Sequence, residues 1–351
     1  MWSQEEKCLL WLDSFPIEPA QKHGLLRLAG GAVNLVKNFS AYTVGLDKEK
    51  ALQMQETLQD GKYFLALKGR LEKESITPIF YGTEGYPEGW LGLSDAPLCL
   101  YAKGNVRLLH ERKFAVVGSR KTTETGRKLG KKIAQDLASR FAVVTGSADG
   151  GDESALQGGL QGGKIICFLA GGFAATPKEN PLLASVEKQG LLITACPYDT
   201  PVRVYSYEVR NKLLSALCEG VLVLGAAKRS GALITAKYAK EQGKKVFAIP
   251  YSPSVLAGEG CNALIKEGGF LTEAADDIWG QYGFTATKQA SVSFTEMEQR
   301  LVDILKEKGE LHAAEISKAA GIPIFKLTAV LSSLEVKGGV VKLGGNRYSA
   351  L

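Results

Sequence analysis

The chain has 351 residues, of which 45% are hydrophobic, which is ample for two or three globular domains. Its net charge of +6 permits a polyanionic partner without requiring one. Six cysteines without a CxxC pair and three histidines outside the glycine-rich loops argue against disulfides, metal ligation and histidine catalysis, and no apolar run is long enough to span a membrane. We therefore expect a cytoplasmic protein that has no cofactor, no metal and no contact with a membrane.

The first 60 residues carry apolar side chains at helical spacing. Residues 7–12 and 24–28 form two apolar stripes, and a third follows Gly30-Gly31. This pattern predicts a small helical domain over residues 1–60, of the sterile-alpha-motif (SAM) or helix-hairpin kind. A helix–glycine–helix unit can contact a DNA backbone, but a small helical domain with a packing role is the simpler interpretation. From residue 65 to residue 109, short strands and turns are predicted to extend one edge of a larger sheet.

A repeated strand–loop–helix unit begins at Phe114. The following apolar runs are typical of buried parallel strands: 114–117, 141–144, 164–169, 190–195, 221–224 and 245–249. Amphipathic helical segments separate most of them, while the stretch around Pro177 and Pro181 is expected to be a loop. The alternation predicts an α/β fold with an extended, Rossmann-like, doubly wound and mostly parallel sheet over residues 61–282.

The glycine-rich loops that end the first strands are the candidate binding site. Gly118-Ser119-Arg120 ends the first strand, and Gly146 lies in the loop after the second. Glycine lets backbone N–H groups turn towards a ligand, and the next helix N-terminus adds partial positive charge, so such loops often bind phosphates. Plain turn chemistry explains one loop, but three in succession, the first with an arginine, favour a phosphate-binding crevice. The first loop lacks the later glycines of the dinucleotide fingerprint.

The end of the chain has its own pattern. Residues 283–292 are polar and predict a linker, and the segment from Ser293 to Glu296 fits a capping box. Three helices and a hairpin then predict a winged-helix domain over residues 293–351. Its recognition helix offers Lys326 and Lys337 but no arginine. Docking to a protein, or dimerisation, is therefore as good an interpretation as reading a DNA groove.

An ordered series of short motifs runs through the central part of the chain. They are Tyr86-Pro87-Glu88, Leu100-Tyr101-Ala102-Lys103-Gly104, Val116-Val117-Gly118-Ser119-Arg120, Thr145-Gly146 with Ala148, Gly150 and Asp152, Arg210-Asn211, Arg229-Ser230-Gly231-Ala232-Leu233-Ile234-Thr235-Ala236, Glu241-Gln242-Gly243, Val246-Phe247-Ala248-Ile249-Pro250 and Gly260-Cys261-Asn262. Each motif is weak by itself. In this order, over roughly residues 81–268, the chain resembles the DprA (Smf) family of bacterial DNA-processing proteins.

The resemblance implies a function and a set of residues. Proteins of this family bind single-stranded DNA without sequence preference, protect incoming strands in natural transformation and load the RecA recombinase on them. They form homodimers through an extended Rossmann-like core and have no established catalytic activity. Matched motif by motif, the resemblance implies these DNA-binding residues: Gly118, Ser119, Arg120, Gly146, Arg203, Tyr207, Arg210, Asn211, Lys212, Ser230 and Gly231.

Two departures from the family pattern make the expected crevice less positive. Asp149 stands where the family usually has an arginine, and an isoleucine of that loop is replaced by Gly151. The family's aromatic–Pro–Arg–Arg–Asn segment reads Tyr207-Glu208-Val209-Arg210-Asn211 here, without the proline and one arginine.

Structural roles are the alternative for several of these side chains. Arg120 could form a salt bridge, and Arg203 and Arg210 could belong to a solvated face. Tyr207 could be a core aromatic.

Two other function classes fit the same fold class. A nucleotide phosphoribohydrolase would carry the motif P-G-G-x-G-T-x-x-E. Gly171-Gly172 has the wrong spacing for it, and the segment from Gly225 to Thr235 lacks the glutamate, so hydrolysis ranks below binding. A nucleotide-binding sensor that does not bind DNA is the second alternative.

Overall fold

The computed structural model describes residues 2–43, 45–177, 179–284 and 294–350. The chain divides into two compact units, Met1–Phe284 and Thr285–Leu351. Residues 283 and 284 end the first unit, and the rest of the predicted linker lies outside the described residues.

The first unit contains thirteen α-helices and nine strands within its described residues. The helices are α1 (Gln4–Asp13), α2 (Pro19–Ala29), α3 (Ala32–Lys37), α4 (Lys48–Gln59), α5 (Gly61–Lys73), α6 (Glu88–Leu91), α7 (Glu124–Leu137), α8 (Gly151–Gly162), α9 (Pro181–Gln189), α10 (Val204–Leu217), α11 (Gly231–Glu241), α12 (Glu259–Lys266) and α13 (Ala275–Gln281). The strands are β1 (Thr77–Phe80), β2 (Cys99–Gly104), β3 (Lys113–Val117), β4 (Ala142–Thr145), β5 (Ile165–Phe168), β6 (Leu191–Thr194), β7 (Gly220–Val223), β8 (Lys245–Ala248) and β9 (Phe270–Leu271).

The nine strands form one sheet in the order β1-β2-β6-β5-β4-β3-β7-β8-β9. The seven strands from β6 to β9 are parallel, whereas β1 and β2 pair antiparallel at one edge. The predicted doubly wound, mostly parallel α/β fold is confirmed. The chain builds outward from β3 to β6 on one side and then returns to place β7 on the other side of β3, so the order reverses between β3 and β7.

Helices cover both faces of this sheet, which explains why its parallel strands are apolar throughout. On one face, Leu213 of α10 and Leu264 of α12 pack in a buried cluster with Val223 of β7. On the other face, Ile133 of α7 and Leu183 of α9 pack in a second cluster. The long apolar runs in the sequence are therefore the signature of strands that are buried on two sides.

The first five helices pack on the antiparallel edge of the sheet. Trp11, Leu35 and Met54 share a buried cluster with Phe80 and Tyr101 of the edge strands. The predicted boundary at residue 60 lies between α4 and α5, and both helices belong to this first unit. That residues 1–60 form a separate domain stays a prediction.

The N-terminus of α3, which follows Gly30-Gly31, already holds a carboxylate. The backbone N–H groups of Ala32 and Val33 donate to the two Glu5 oxygens at 2.9 and 3.3 Å. A DNA phosphate at this position would have to displace that carboxylate. The contact favours the packing role of the helix–glycine–helix unit over contact with a DNA backbone.

Five elements of the core were not predicted: α5 and α6, which lie where short strands and turns were expected, and α9, α12 and β9. The stretch around Pro181 was expected to be a loop, but Pro181 opens α9 because a proline at the first helical position loses no hydrogen bond. Asn180 caps this helix by accepting from the N–H groups of Leu182 and Leu183. Helix α12 and the two-residue strand β9 are too short to give a clear period in the sequence.

The second unit is a winged helix, as predicted. Its elements are α14 (Glu296–Lys308), β10 (Leu311–His312), α15 (Ala313–Ala320), α16 (Ile324–Val336), β11 (Val340–Leu343) and β12 (Arg347–Ala350). The predicted hairpin is β11–β12, and the unpredicted β10 adds a third strand beside β12.

No single helix in the described part of the chain is long and apolar enough to cross a membrane. Helices α15 and α16, bent by 105° at their junction, pass that test as a pair on length and composition alone.

Candidate nucleic-acid interface

A cavity of about 520 Å³ lies at the carboxyl ends of β3, β4 and β7, where the strand order reverses. Open parallel sheets place their ligands at such a reversal. The first cavity, as we call it, is lined by Val117, Gly118, Ser119, Arg120, Lys121, Gly146, Ala148, Asp152, Tyr207, Arg210, Asn211, Ala227, Arg229, Ser230, Gly231, Ala232 and Thr235.

Two glycines let the loop after β3 lie directly against the start of α8. A Cβ on Gly118 would come 2.8 Å from the Gly151 Cα, and one on Gly151 would come 2.6 Å from the Gly118 carbonyl carbon. Such contacts are too short for any side chain. The Gly151 N–H donates to the Ser119 carbonyl at 3.1 Å, and the Ser119 N–H donates to the Gly225 carbonyl at 2.8 Å. These bonds fix the loop that carries Arg120.

Three cations stand at the exposed rim of the first cavity. Arg120 and Lys121 follow β3, and Arg229 precedes α11. Among the described residues, none of the three has a carboxylate oxygen within 4.0 Å. Arg120 therefore forms no salt bridge with the described residues, contrary to the structural alternative, and the Arg120 guanidinium is available for a ligand anion.

A buried pair of opposite charges forms the floor of the first cavity. Arg210 is 6% exposed, and its Nη1 donates to the Phe168 carbonyl at 2.7 Å. Asp152 accepts from the Gly118 N–H at 3.0 Å. A Cβ on Gly146 would collide with both side chains, so this glycine is what lets them close over the end of β4. The solvated-face alternative for Arg210 is wrong, because α10 turns this side chain into the protein.

Two electrostatic features characterise the floor of the first cavity. Burial raises the pKa of the Asp152 carboxyl, against the lowering effects of the Arg210 guanidinium and of the Gly118 N–H. The Arg210 Nε is buried and has no hydrogen-bond partner among the residues that the structure describes. An unpartnered buried donor is rare in folded proteins.

Helices α10 and α11 supply the remaining wall. Tyr207 is 39% exposed and lines the first cavity, so it is not a core aromatic. Asn211 is buried, and its amide donates to the Gly231 carbonyl at 3.3 Å, which ties α10 to the start of α11. Ser230 caps α11 by accepting from the Ala232 N–H. The N-terminus of α11 therefore faces the cavity and adds partial positive charge there.

The structure brings nine of the eleven predicted residues together, and the other two do not line the first cavity. Lys212, which was expected on the wall, is held instead by Asp95, with its Nζ 2.7 Å from Oδ1. Lys212 lies two positions after Arg210 on α10, so it points to a different side of the helix. Arg203 is exposed just before α10, as its solvated-face alternative expected.

The two departures from the family pattern also lie outside the lining. Asp149 is exposed, and Glu208 accepts a hydrogen bond from the Tyr238 hydroxyl at 2.9 Å. Their negative charges are thus kept off the cavity wall.

Of the eight lining residues that the sequence did not single out, four are polar: Lys121, Asp152, Arg229 and Thr235. A signal was present for three of them. Lys121 directly follows the first predicted triplet, Arg229 directly precedes Ser230-Gly231, and Asp152 follows the second glycine-rich loop. A search for every charged residue in the loops that follow strands would have found these three. The hydrogen bond from the Gly118 N–H to Asp152, in contrast, can be recognised only in the folded structure.

The arrangement is suited to binding an anion. Among the described residues that line the first cavity, Asp152 is the only acid, and a backbone bond already uses one of its oxygens. Within the same part of the chain, no group of three or more His, Cys, Asp or Glu side chains is placed to hold a metal ion. Guanidinium groups, N–H groups and an aromatic ring remain, which are the groups that hold phosphates and bases.

The chain is similar to known proteins over most of its length. A sequence profile described as DNA recombination-mediator protein A matches residues 77–283. Protein Smf from Escherichia coli (strain K12) is 33% identical over 290 residues, which is 78% of each chain. DNA processing protein DprA from Streptococcus pneumoniae is 37% identical over 203 residues, 57% of this chain and 72% of the relative.

Solved structures agree with these sequence matches. The X-ray structure of DprA from Streptococcus pneumoniae superposes with a TM-score of 0.68 at 27% identity, covering 81% of this chain and 100% of that chain. The fold is also shared with DNA processing protein A from Helicobacter pylori, a single-stranded DNA binding protein, with a TM-score of 0.53 at 24% identity over 59% of this chain and 95% of that one. From the profile match, the sequence identities and the shared fold, we conclude that the chain belongs to the DprA (Smf) family of DNA recombination mediators.

Proposed function

We propose that this protein binds single-stranded DNA in the first cavity, without sequence preference, and does not act as an enzyme. The observation that carries the proposal is the combination in one cavity of three groups: the Arg120 guanidinium, which has no carboxylate oxygen within 4.0 Å in the described part of the chain, the buried Arg210 side chain and the accessible Tyr207 ring. Arginines and N–H groups hold phosphates, and an aromatic ring stacks on any base. None of these contacts distinguishes one base from another, so binding is sequence-independent.

The size of the first cavity favours a single strand over a duplex. At about 520 Å³ it has the volume of a small-molecule pocket, and it accepts a flipped or unstacked nucleotide but not a base-paired helix. In this proposal, a phosphate sits between Arg120 and the Arg210 floor, and Tyr207 stacks on the adjacent base.

We place this binding in the recombination steps of natural transformation, in the cytoplasm. The protein protects an incoming strand and passes it to a RecA-type recombinase, in keeping with a family of recombination mediators.

The active form in this proposal is a homodimer through the Rossmann-like core. The short strand β9 ends the sheet, and its outer edge pairs with no other strand in the described part of the chain. Leu271 on this strand is half-exposed. An edge of this kind is suited to a second copy of the chain.

Titration of matched single- and double-stranded oligonucleotides at two salt concentrations tests the proposal. We expect tighter binding of the single strand, with log affinity falling by about 0.7 per decade of salt for each phosphate contact. Equal affinity for the two forms at the same salt concentration would contradict it.

A nucleotide-binding sensor is the second candidate, because the same volume also fits one mononucleotide. A ligand that binds only the folded state raises the melting temperature. A rise with nucleoside monophosphates and none with oligonucleotides would favour the sensor, and release of free base from a monophosphate would favour the hydrolase.

A further inference from the structure

A second cavity, of about 570 Å³, lies between α11 and α12. It shares Arg229 and Ser230 with the first cavity, so the two are separated only by the residues that open α11. Nothing in the proposed function so far uses it.

The second cavity has a basic rim. Lys228, Arg229, Lys237 and Lys240 stand on it. Lys228 and Arg229 have no carboxylate oxygen within 4.0 Å among the described residues. The two lysines of α11 have only exposed partners: Lys237 is 3.7 Å from Glu241, and Lys240 is 2.8 Å from Glu267. Four cations against two carboxylates leave the rim with two positive charges in excess. Exposed ion pairs are weak and exchange readily for a stronger anion.

The floor of the second cavity is apolar. Leu233 and Ile234 of α11 face Ala263 and Leu264 of α12 across it. A basic rim above an apolar floor matches a nucleic-acid strand, whose phosphates are anionic and whose bases have apolar faces. A peptide helix would use the floor but would leave the unpaired Lys228 and Arg229 without partners.

The size of the first cavity requires an exit for any polymer that enters it. A volume of about 520 Å³ holds a nucleotide or a small part of a strand, so the chain on either side must leave across a wall. The wall at Arg229 leads directly to a second basic cavity.

We propose that single-stranded DNA leaving the first cavity passes over Arg229 and occupies the second cavity, with phosphates at Lys228 and Lys237 and bases against Leu233 and Leu264. This inference rests on the proposed function and extends it to a longer binding site with two consecutive cavities. Arg229, which lines both, holds the phosphate between them.

Oligothymidylates of increasing length test the proposal, from a trinucleotide to about 16 nucleotides. The double variant Lys228→Ala/Lys237→Ala should leave the affinity for the trinucleotide unchanged. It should weaken binding of the longest strand about tenfold, the usual loss of one or two charge-assisted contacts. Two lost phosphate contacts should also flatten the salt slope by about 1.4 for the long strand. Lys188→Ala on α9, an exposed lysine that lines neither cavity, is the matched control.

Each outcome of this experiment decides something. Equal affinities of the double variant and the unmodified protein at every oligonucleotide length would overturn the inference and favour a protein partner for the second cavity. The same fractional loss of affinity at every oligonucleotide length would overturn the inference too, because the two lysines would then act through long-range electrostatics and not through contact with a longer strand. If the unmodified protein bound no oligothymidylate at all, the proposed function would fail, and the inference with it.

Discussion

The first cavity and the winged helix are both structures of a kind that binds nucleic acid, yet they use their cations differently. Around the cavity, Arg120, Lys121 and Arg229 have no carboxylate partner in the described part of the chain. In the winged helix, Lys337 bonds to Glu298 at 2.6 Å and Arg347 bonds to Glu310 at 2.6 Å. These two cations of the winged helix therefore serve its own structure, whereas the three cations of the cavity are left for a ligand.

Helix α16 shows what remains after this internal pairing. Glu298 also accepts from the Ser333 hydroxyl, so Lys337 is part of a network rather than a free side chain. Lys326 remains, beside Phe325, which is 72% exposed. An exposed aromatic residue with one lysine is closer to a protein contact than to a groove reader. The comparison teaches that a cation held in an internal ion pair is not by itself evidence of a phosphate site.

The largest expected effect is that of Asp152→Ala. It leaves the buried Arg210 without its nearby opposite charge and the Gly118 N–H without an acceptor. We expect the free energy of unfolding of the first unit to fall by about 3 kcal/mol. Asp149→Ala, three positions earlier and exposed, is the matched control and should change it little. Denaturant unfolding measures both, and equal stabilities would show that the floor of the cavity needs no carboxylate.

Tyr207→Ala should act on binding rather than on stability. Removing one stacking ring should weaken single-strand binding by about 1–2 kcal/mol. Tyr205, on the same helix and 60% exposed, does not line the first cavity, so Tyr205→Ala is the matched control. Fluorescence anisotropy gives both affinities. A larger loss for Tyr205→Ala would move the base-stacking surface to the other side of α10.

Glu298→Gln probes the winged-helix side of the comparison. The Lys337 ammonium, then the Thr295 N–H and the Ser333 hydroxyl, hold the pKa of Glu298 at about 2, below its ordinary 4.5. Because the folded-state pKa is depressed, the carboxylate stabilises the unit fully above pH 4.5 and less as the pH falls towards about 2. The variant should therefore melt at a lower temperature than the unmodified protein at neutral pH.

The pH dependence is the sharper part of that experiment. The difference in melting temperature should shrink between pH 4.5 and about 2, where the unmodified carboxylate takes up its proton. Glu307→Gln, on the exposed side of the same helix α14, should show no such trend. A difference that is the same at every pH would exclude the ion pair as its source.

Truncation after Phe284 should have the smallest effect of all on DNA binding. Every residue that lines the two cavities lies in the first unit. We expect the affinity for a single strand to stay within about twofold of the full chain, which is under 0.5 kcal/mol. A folded truncated protein that had lost most of its affinity would make the winged helix the main DNA site.

Much of the fold could be predicted from local patterns. Strands β3 to β8 are buried on both faces, so each appears as an apolar run, and the glycines that end them mark the loops. Helix α9 was missed because Pro181 looks like a helix breaker when its position in the first turn is unknown. Strand β9, with two residues, carries no period at all.

The site was predicted less completely, for reasons that lie in long-range pairing. The loop from Gly118 to Arg120 is local and was predicted from its own residues. Lys212 was misplaced because its partner, Asp95, is 117 residues away in the chain. The burial of Arg210 depends likewise on Phe168 and Asp152, which come from other strand–loop units.

The most direct test of the central claim compares Arg120→Ala with Lys326→Ala in the full-length protein. For each, we would measure single-strand affinity over a range of salt concentrations, and the melting temperature. Arg120→Ala should weaken binding by about 1–3 kcal/mol and flatten the log–log salt slope by about 0.7, because one phosphate contact is lost. Its melting temperature should not change, since the side chain is exposed and forms no ion pair with any residue that the structure describes. Lys326→Ala should alter neither quantity. An unchanged slope for Arg120→Ala, with a flatter slope for Lys326→Ala, would move the DNA site from the cavity to the winged helix.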